Sequence, residues 1–357
     1  MVLGSLLPSS TEALPLTEAF RKDREWILTE IDASDRARGP TDLLMRYLLE
    51  KRVNLALVPT AYGGLGLGFI GEFDVIAEAT RLSGTFGWIV FQLLGNPGRV
   101  LSFFSPEVVR RILSSVNGDL VISYQNDPTK ARAVCDGERL LVSGRWSFGT
   151  LSKSATHFAI PFVDPVGGGE TCLLLESHRV TRIDDWKNAA FRGSSITSYE
   201  LLNHEISASD LVAPIQPANL DFNPAYTVPR SAIKHLAWSA GMALNVFDTI
   251  VESDPSKAGL PEWSRYEHNL SVVLDEVRSN VQLLQERLTH APVGDLLQEL
   301  NTRCSSVHQQ ALNGALAAFT ALPRESLDDN SKVAKNMRET LVLSLHKALR
   351  DGLSFLS

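Results

Sequence analysis

Apolar positions change period twice along the chain. From Thr17 to about Ser115 they follow a helical repeat: Phe69, Phe73, Ile76 and Ala77 fall at i, i+4, i+7 and i+8, with Glu72, Glu78 and Arg81 on other faces. From Asp119 to about Asp210 the texture is one of short β-prone runs, at 140–143, 157–163, 172–175 and 198–202, separated by turn residues such as Asp136-Gly137 and Gly167-Gly168-Gly169. After Pro229 the helical period returns. One stripe holds Ile233, Leu236, Ala237, Ala240, Leu244, Phe247 and Val251; a second holds Leu270, Val273, Leu274, Val277, Val281, Leu284 and Leu288; two more lie at about 296–321 and 331–349. Long amphipathic helices with short connections predict an antiparallel four-helix bundle. The pattern thus predicts an α+β chain: an N-terminal helical domain at 1–118, a middle β-barrel or sheet domain at 119–215 and a C-terminal helical bundle at 216–357. Prolines between Pro214 and Pro229 mark the second boundary, and no internal repeat points to a solenoid or propeller.

A length of 357 residues has room for two or three such units, and 44% hydrophobic with 21% charged residues suits a self-sufficient globular core. Lys plus Arg number 34 against 41 Asp plus Glu, a net charge of -7, so no basic footprint matches nucleic acid or an anionic membrane surface. Cys135, Cys172 and Cys304 form no CxxC pair, and the eight histidines form no HxxxH or HExxH; neither a disulfide framework nor a metal site is expected. Residues 1–15 lack a basic flank and a long apolar stretch, which predicts a cytoplasmic protein without a signal peptide or membrane span. The run Gly63-Gly64-Leu65-Gly66-Leu67-Gly68 is neither GxGxxG after a parallel strand nor GxxxxGK[ST], and GxSxG does not occur.

Several strings carry chemistry through their order. Leu57-Val58-Pro59-Thr60-Ala61-Tyr62-Gly63-Gly64-Leu65-Gly66 is followed by Ser83-Gly84-Thr85-Phe86-Gly87-Trp88 and then by Val142-Ser143-Gly144-Arg145-Trp146-Ser147-Phe148-Gly149-Thr150. Trp186, Phe191-Arg192-Gly193-Ser194 and Asp210-Leu211-Val212-Ala213-Pro214 come next, and Arg338-Glu339 precedes His346 in the last helix. In this order and spacing they resemble the acyl-CoA dehydrogenase superfamily, most closely its branch of two-component flavin-dependent monooxygenases, over roughly residues 17 to 350. The chain departs from the branch pattern at Thr150-Leu151, where Ser-Gly is usual, at Ala190 and Ser195, which replace glycines, and at Glu339, which replaces aspartate.

The resemblance implies a flavin, FMN or FAD, lying against the middle domain. A flavin needs a flat apolar wall, donors for its ring edge and positive or dipolar groups for its phosphate. Trp146 is the candidate wall, the alternative being a core aromatic; Ser147 and Thr150 are candidates for the ring edge. Ser123 and Gln125 sit where a second flavin-facing segment would fall, although the same stretch reads equally as a strand end feeding the Asn126-Asp127-Pro128 turn. Arg192 and Ser194 could meet phosphate or ribityl oxygens, Arg192 otherwise being a surface turn residue. Arg338, Val342 and His346 share one stripe of the last helix, so His346 is the candidate catalytic group that orients an acceptor and moves its proton, the alternative being a surface or core histidine.

By resemblance, an acyl-CoA dehydrogenase draws its base glutamate from a loop after the last bundle helix or from the start of the first. The eleven residues after His346 contain none, and Pro229-Arg230-Ser231-Ala232 contains none. The monooxygenase branch needs no such base: it takes reduced flavin from a separate flavin reductase, forms a C4a-hydroperoxyflavin with O2 and oxygenates a small aromatic or amine substrate. That function is the expectation, with a dehydrogenase-like oxidoreductase or a non-catalytic relative as alternatives, and a homotetramer or homodimer as the implied assembly.

Overall fold

The computed structural model describes residues 10–207, 209–216, 218, 219, 221, 222, 231–287 and 294–346. Helices come first: α1 (Leu14–Lys22), α2 (Arg24–Ala37), α3 (Asp42–Glu50), α4 (Phe69–Leu82), α5 (Gly84–Leu101) and α6 (Pro106–Ser115). Ser83 ends α4 and starts α5, its hydroxyl accepting the Phe86 N–H at 3.4 Å. Both helices are buried on nearly every side, and α4 takes Glu72, Asp74 and Glu78 into the interior with its apolar residues. The glycine-rich run before α4 is a folded-back turn rather than a ligand loop. Gly63 and Gly66 have φ of 79° and 65°, and a Cβ on Gly64 would lie 2.7 Å from the Leu55 carbonyl oxygen.

Eight strands follow among the described residues: β1 (Ile122–Tyr124), β2 (Ala131–Asp136), β3 (Arg139–Gly149), β4 (His157–Val163), β5 (Glu170–Glu176), β6 (Thr181–Ile183), β7 (Thr197–Glu205) and β8 (Leu211–Pro214). They form two four-stranded sheets, in the orders β1-β4-β5-β8 and β2-β3-β7-β6, antiparallel except for β1 beside β4. The first sheet divides two apolar cores. Along β4 and β5, Phe158, Ile160, Phe162, Leu173 and Leu175 point into the space between the sheets, while the alternate residues Ala159, Cys172 and Leu174 join the helical core. This two-sided burial explains why both strands read as near-continuous apolar runs.

Helices then resume with α7 (Ser231–Ser253), the single turn α8 (Pro255–Ala258), α9 (Pro261–Arg287), α10 (Gly294–Ala321), the single turn α11 (Pro323–Ser326) and α12 (Lys332–Ser344). The four long stripes read in the sequence fall on α7, α9, α10 and α12; Leu288 of the second and residues 347–349 of the last lie outside the described residues. Helices on either side of the strands share one core, in which Phe73, Ile76 and Phe86 meet Leu236, Ala240 and Leu244. At Gly241 the backbones of α4 and α7 touch: a Cβ there would meet the Ala77 carbonyl and sit 2.7 Å from Thr80 Cβ. A buried polar chain holds the crossing in register. Asn245 Nδ2 donates to the Thr80 carbonyl at 3.1 Å, and Asn336 Nδ2 of α12 donates to Asn245 Oδ1 at 2.8 Å. Among the described residues no helix is long and apolar enough to cross a membrane.

Candidate functional site

Helices from both ends of the chain and the end of β3 converge on Trp88. Helix α5 carries it five residues after the Ser83 cap, with its indole buried. The ring stacks on Phe91 of the same helix at 4.7 Å between centroids and meets Phe191 at 5.4 Å. His235 of α7 and His346, just beyond α12, each approach it edge-on at 6.2 Å, and the two imidazoles lie 4.4 Å apart. Lys234 places its ammonium 4.3 Å from the Phe91 centroid. On the strand side, Trp88 Nε1 donates to Thr150 Oγ1 at 3.2 Å. An apolar, flat-walled site edged by imidazole and one ammonium is thereby tied to the end of β3.

Local backbone chemistry brings Thr150 there. Strand β3 loses register between Trp146 and Gly149, and Phe148 and Leu151 take φ of 66° and 61°. This swings the chain so that Leu151 N donates to the Ser194 carbonyl at 3.0 Å. Ser194 is buried and donates its hydroxyl to the Phe191 carbonyl at 2.8 Å, so it acts by shaping the turn that carries Phe191. Asp35 of α2 accepts the Gly193 N–H at 2.9 Å and pairs with Lys335 of α12 at 2.9 Å, joining that turn to the helix that leads to His346.

The other sequence candidates divide. Ser123 is fully buried with no partner on its hydroxyl among the described residues, and it faces the end of β3: a Cβ on Gly149 would lie 3.1 Å from it. Arg192 is half-buried, and its Nε likewise has no partner among them. Gln125 takes the turn alternative, its Oε1 accepting the Asp127 N–H at 3.0 Å. Ser147 is exposed, 3.4 Å from Ser198 Oγ and away from Trp88's neighbours. Trp146 requires a correction. Strand alternation points it inward with Val142, its ring is fully buried between the sheets, and one face stacks on Tyr199 at 5.5 Å. An indole enclosed in that core has no face to offer a flavin.

Charge in the site is set by enclosure. Desolvation, followed by the nearby Lys234 charge, pushes His346 down to about 4, leaving it neutral and able to accept a proton at physiological pH. The residue keeps exposed surface, but its ring is flanked by Trp88 and His235, and that crowding governs its proton affinity. Burial pushes Glu339, two turns before His346 on α12, up to about 7. Its carboxyl accepts from Thr85 Oγ1 and lies against Gly84 and Met242, at the first turn of α5.

His308 of α10 fixes α12 to α7. Ser344 Oγ donates to the Thr340 carbonyl at 2.9 Å and so accepts from His308 Nε2 at 2.8 Å, leaving His308 Nδ1 to accept from Ser239 Oγ at 3.1 Å. Burial lowers His308 from 6.5 to about 4. In the unfolded chain this histidine takes a proton first, so its contribution is complete above pH 6.5 and is lost as pH falls toward 4. Denaturant titrations should register a loss of roughly 3 kcal/mol across that window. A His308→Gln variant should flatten that part of the curve; parallel curves for the two proteins would reject the assignment.

Sequence reasoning missed Phe91, Lys234 and His235 as site candidates and took Trp88 and Phe191 only as parts of strings. The available signals were the position of Trp88 at the end of 83–88 and the polar pair Lys234-His235 inside an apolar stripe. Phe91 carries no sequence mark that separates it from a core aromatic.

No protein-family model matches the chain. Among curated proteins it is similar to a pigment production hydroxylase of Rhodococcus sp. (strain ATCC 21145), at 21% identity over 182 residues. That match takes in 51% of this chain and 45% of the relative, so the chain spans about half the length of the curated protein it matches. Among solved structures it resembles the HsaA monooxygenase from M. tuberculosis, with a TM-score of 0.81, 15% identity and coverage of 96% of this chain and 97% of the other. It also resembles KijD3 in complex with FMN and a dTDP-amino-sugar, with a TM-score of 0.81, 17% identity and coverage of 98% and 93%. Dibenzothiophene monooxygenase from Paenibacillus sp. A11-2 gives a TM-score of 0.77, 17% identity and coverage of 96% and 94%. The chain therefore has the mixed helix-and-sheet fold of acyl-CoA dehydrogenase-like flavin monooxygenases, the group that the sequence strings resemble.

Proposed function

We propose that the chain is a flavin-dependent monooxygenase that receives reduced FMN or FAD from a separate reductase and oxygenates a small aromatic or amine compound. The observation that carries this reading is the aromatic and imidazole enclosure around Trp88, hydrogen-bonded directly to Thr150. The residues beside it fit a flavin: Ser123 Oγ and Arg192 Nε are buried polar atoms without partners among the described residues, next to or linked with the 149–151 and 191–195 turns. They and Thr150 would hold the cofactor. Reduced flavin with O2 would deliver one oxygen atom to the acceptor and the other to water, the flavin supplying two electrons. The protein's part is to exclude water, orient the acceptor between apolar rings and take a proton at His346.

We read the chain as the three parts 1–118, 119–215 and 216–357, assembled as a homotetramer or homodimer, a reading supported by exposed Val272, Leu316 and Leu341 on the C-terminal helices. The dehydrogenase alternative needs a carboxylate facing the acceptor, whereas Glu339 on α12 is taken up by Thr85 and Gly84. The test is oxygenation under 18O2, with protein loaded with reduced FMN or FAD and offered phenols, indole and arylamines. One labelled oxygen per product molecule is expected; no labelled product together with no affinity for reduced flavin would reject the proposal.

A further inference from the structure

Three helices are bonded together at residues 84 and 85, just before Trp88. The Glu339 carboxyl of α12 accepts from Thr85 Oγ1, and its other oxygen lies where a Cβ on Gly84 would stand, so glycine at 84 leaves it room. From α7, Trp238 Nε1 donates to the Gly84 carbonyl at 3.0 Å. Trp238 and Glu339 are both buried. Helical stretches lead from this joint to each part of the site: Thr85 precedes Trp88 by three residues, Trp238 follows His235 by three, and Glu339 precedes His346 by seven. His346 N donates to the Leu343 carbonyl at 2.8 Å, so the residue follows the direction of α12 although it lies past its end.

Resting on the monooxygenase reading, in which His346 takes up the proton, we propose that Glu339 is a positioning residue: by binding the first turn of α5 it holds the end of α12 so that the His346 ring stays against Trp88 and His235. A carboxyl suits this task because the bond outlasts titration. Burial raises Glu339 to about 7, with Asp35 of α2 adding to the rise while the Thr85 bond, Lys335 and Arg338 oppose it, so both forms are present near neutral pH. Each form keeps an oxygen that accepts the Thr85 hydroxyl. Loss of the side chain would instead leave Thr85 Oγ1 without that acceptor and open a gap between α12 and α5.

The experiment is an NMR pH titration of the histidine ring signals of the full chain without flavin, His346 being identified by the signal missing from His346→Gln. In the parent its ring should stay neutral down to about pH 5, because enclosure beside Trp88 and His235, and then the Lys234 charge, oppose protonation. Glu339→Ala should release the ring toward water and bring its midpoint up to about 5.5–6.5. Thr85→Val keeps the shape and removes only the donor; it should raise the midpoint in the same direction, whether or not the alanine variant folds. Glu339→Gln, which retains an acceptor, should titrate as the parent does. Removal of a negative charge alone would lower the midpoint, so the sign separates displacement of the ring from electrostatics. A purely structural Glu339 would lower the unfolding temperature yet leave His346 neutral at about pH 5.5 in both Glu339→Ala and Thr85→Val. That result, a midpoint in Glu339→Gln as high as in Glu339→Ala, or a parent midpoint near about 6.5 would overturn the assignment. The titration requires neither flavin nor turnover: the expected shifts without 18O incorporation would keep the role of Glu339 and reject oxygenation, and the converse result would do the reverse.

Discussion

Replacing His346 with alanine will lower the rate of substrate oxygenation by about 10²- to 10³-fold at saturating reduced flavin, the range expected when a positioned proton acceptor is lost. The imidazole lies 4.4 Å from that of His235 and edge-on to Trp88, and enclosure holds its pKa near 4, so it is neutral at the pH of assay. It can therefore accept a proton from the acceptor as oxygen is transferred. His346→Gln keeps a polar side chain but cannot take up that proton, and it should not rescue the rate. In the parent protein the acid limb of the pH–rate profile should fall only toward pH 4, and that limb should be absent from the alanine variant. Because His346 keeps exposed surface just past the end of α12, its removal should cost little stability. A kcat within about 3-fold of the parent would remove His346 from the mechanism.

Gly241→Ala will destabilise the protein by about 2 kcal/mol or more, although helix propensity alone predicts a gain of about 1 kcal/mol for glycine to alanine inside a helix. Sterics decide the sign. The added methyl would enter the Ala77 carbonyl of α4 and approach Thr80 Cβ to 2.7 Å, and backbone cannot move aside as a flexible side chain can. The helices would have to separate, stretching the Asn245 contact to the Thr80 carbonyl. Thermal unfolding should show a midpoint lowered by roughly 3 °C or more. An unchanged or raised midpoint would mean that α4 and α7 do not touch at this point.

Periodicity made the elements legible. The run at 157–163 coincides with β4, and the stripe from Ile233 to Val251 lies within α7, because in each case the burial that selects apolar residues is local to the element. The candidate site was legible only where a residue's backbone setting also decides its place. Thr150 follows a strand end and His346 follows α12, and both reach Trp88. Trp146 failed because a string cannot say on which side of a strand its tryptophan falls relative to a bulge two residues later. Ser147 beside it faces solvent, opposite its inward neighbour.

The shared helical core has a consequence for synthesis. Asn245 and Thr80 are 165 positions apart, with all eight described strands between them, so the apolar faces of α4 and α5 have no α7 to cover them when they leave the ribosome. At translation rates of about 5–20 residues per second, that wait is on the order of ten seconds. The strands can pair during the interval, since β2–β3 and β4–β5 are joined by short turns. The nascent chain would therefore pass through a stage with a formed sandwich and bare helices, the stage at which a chaperone would have the most apolar surface to hold.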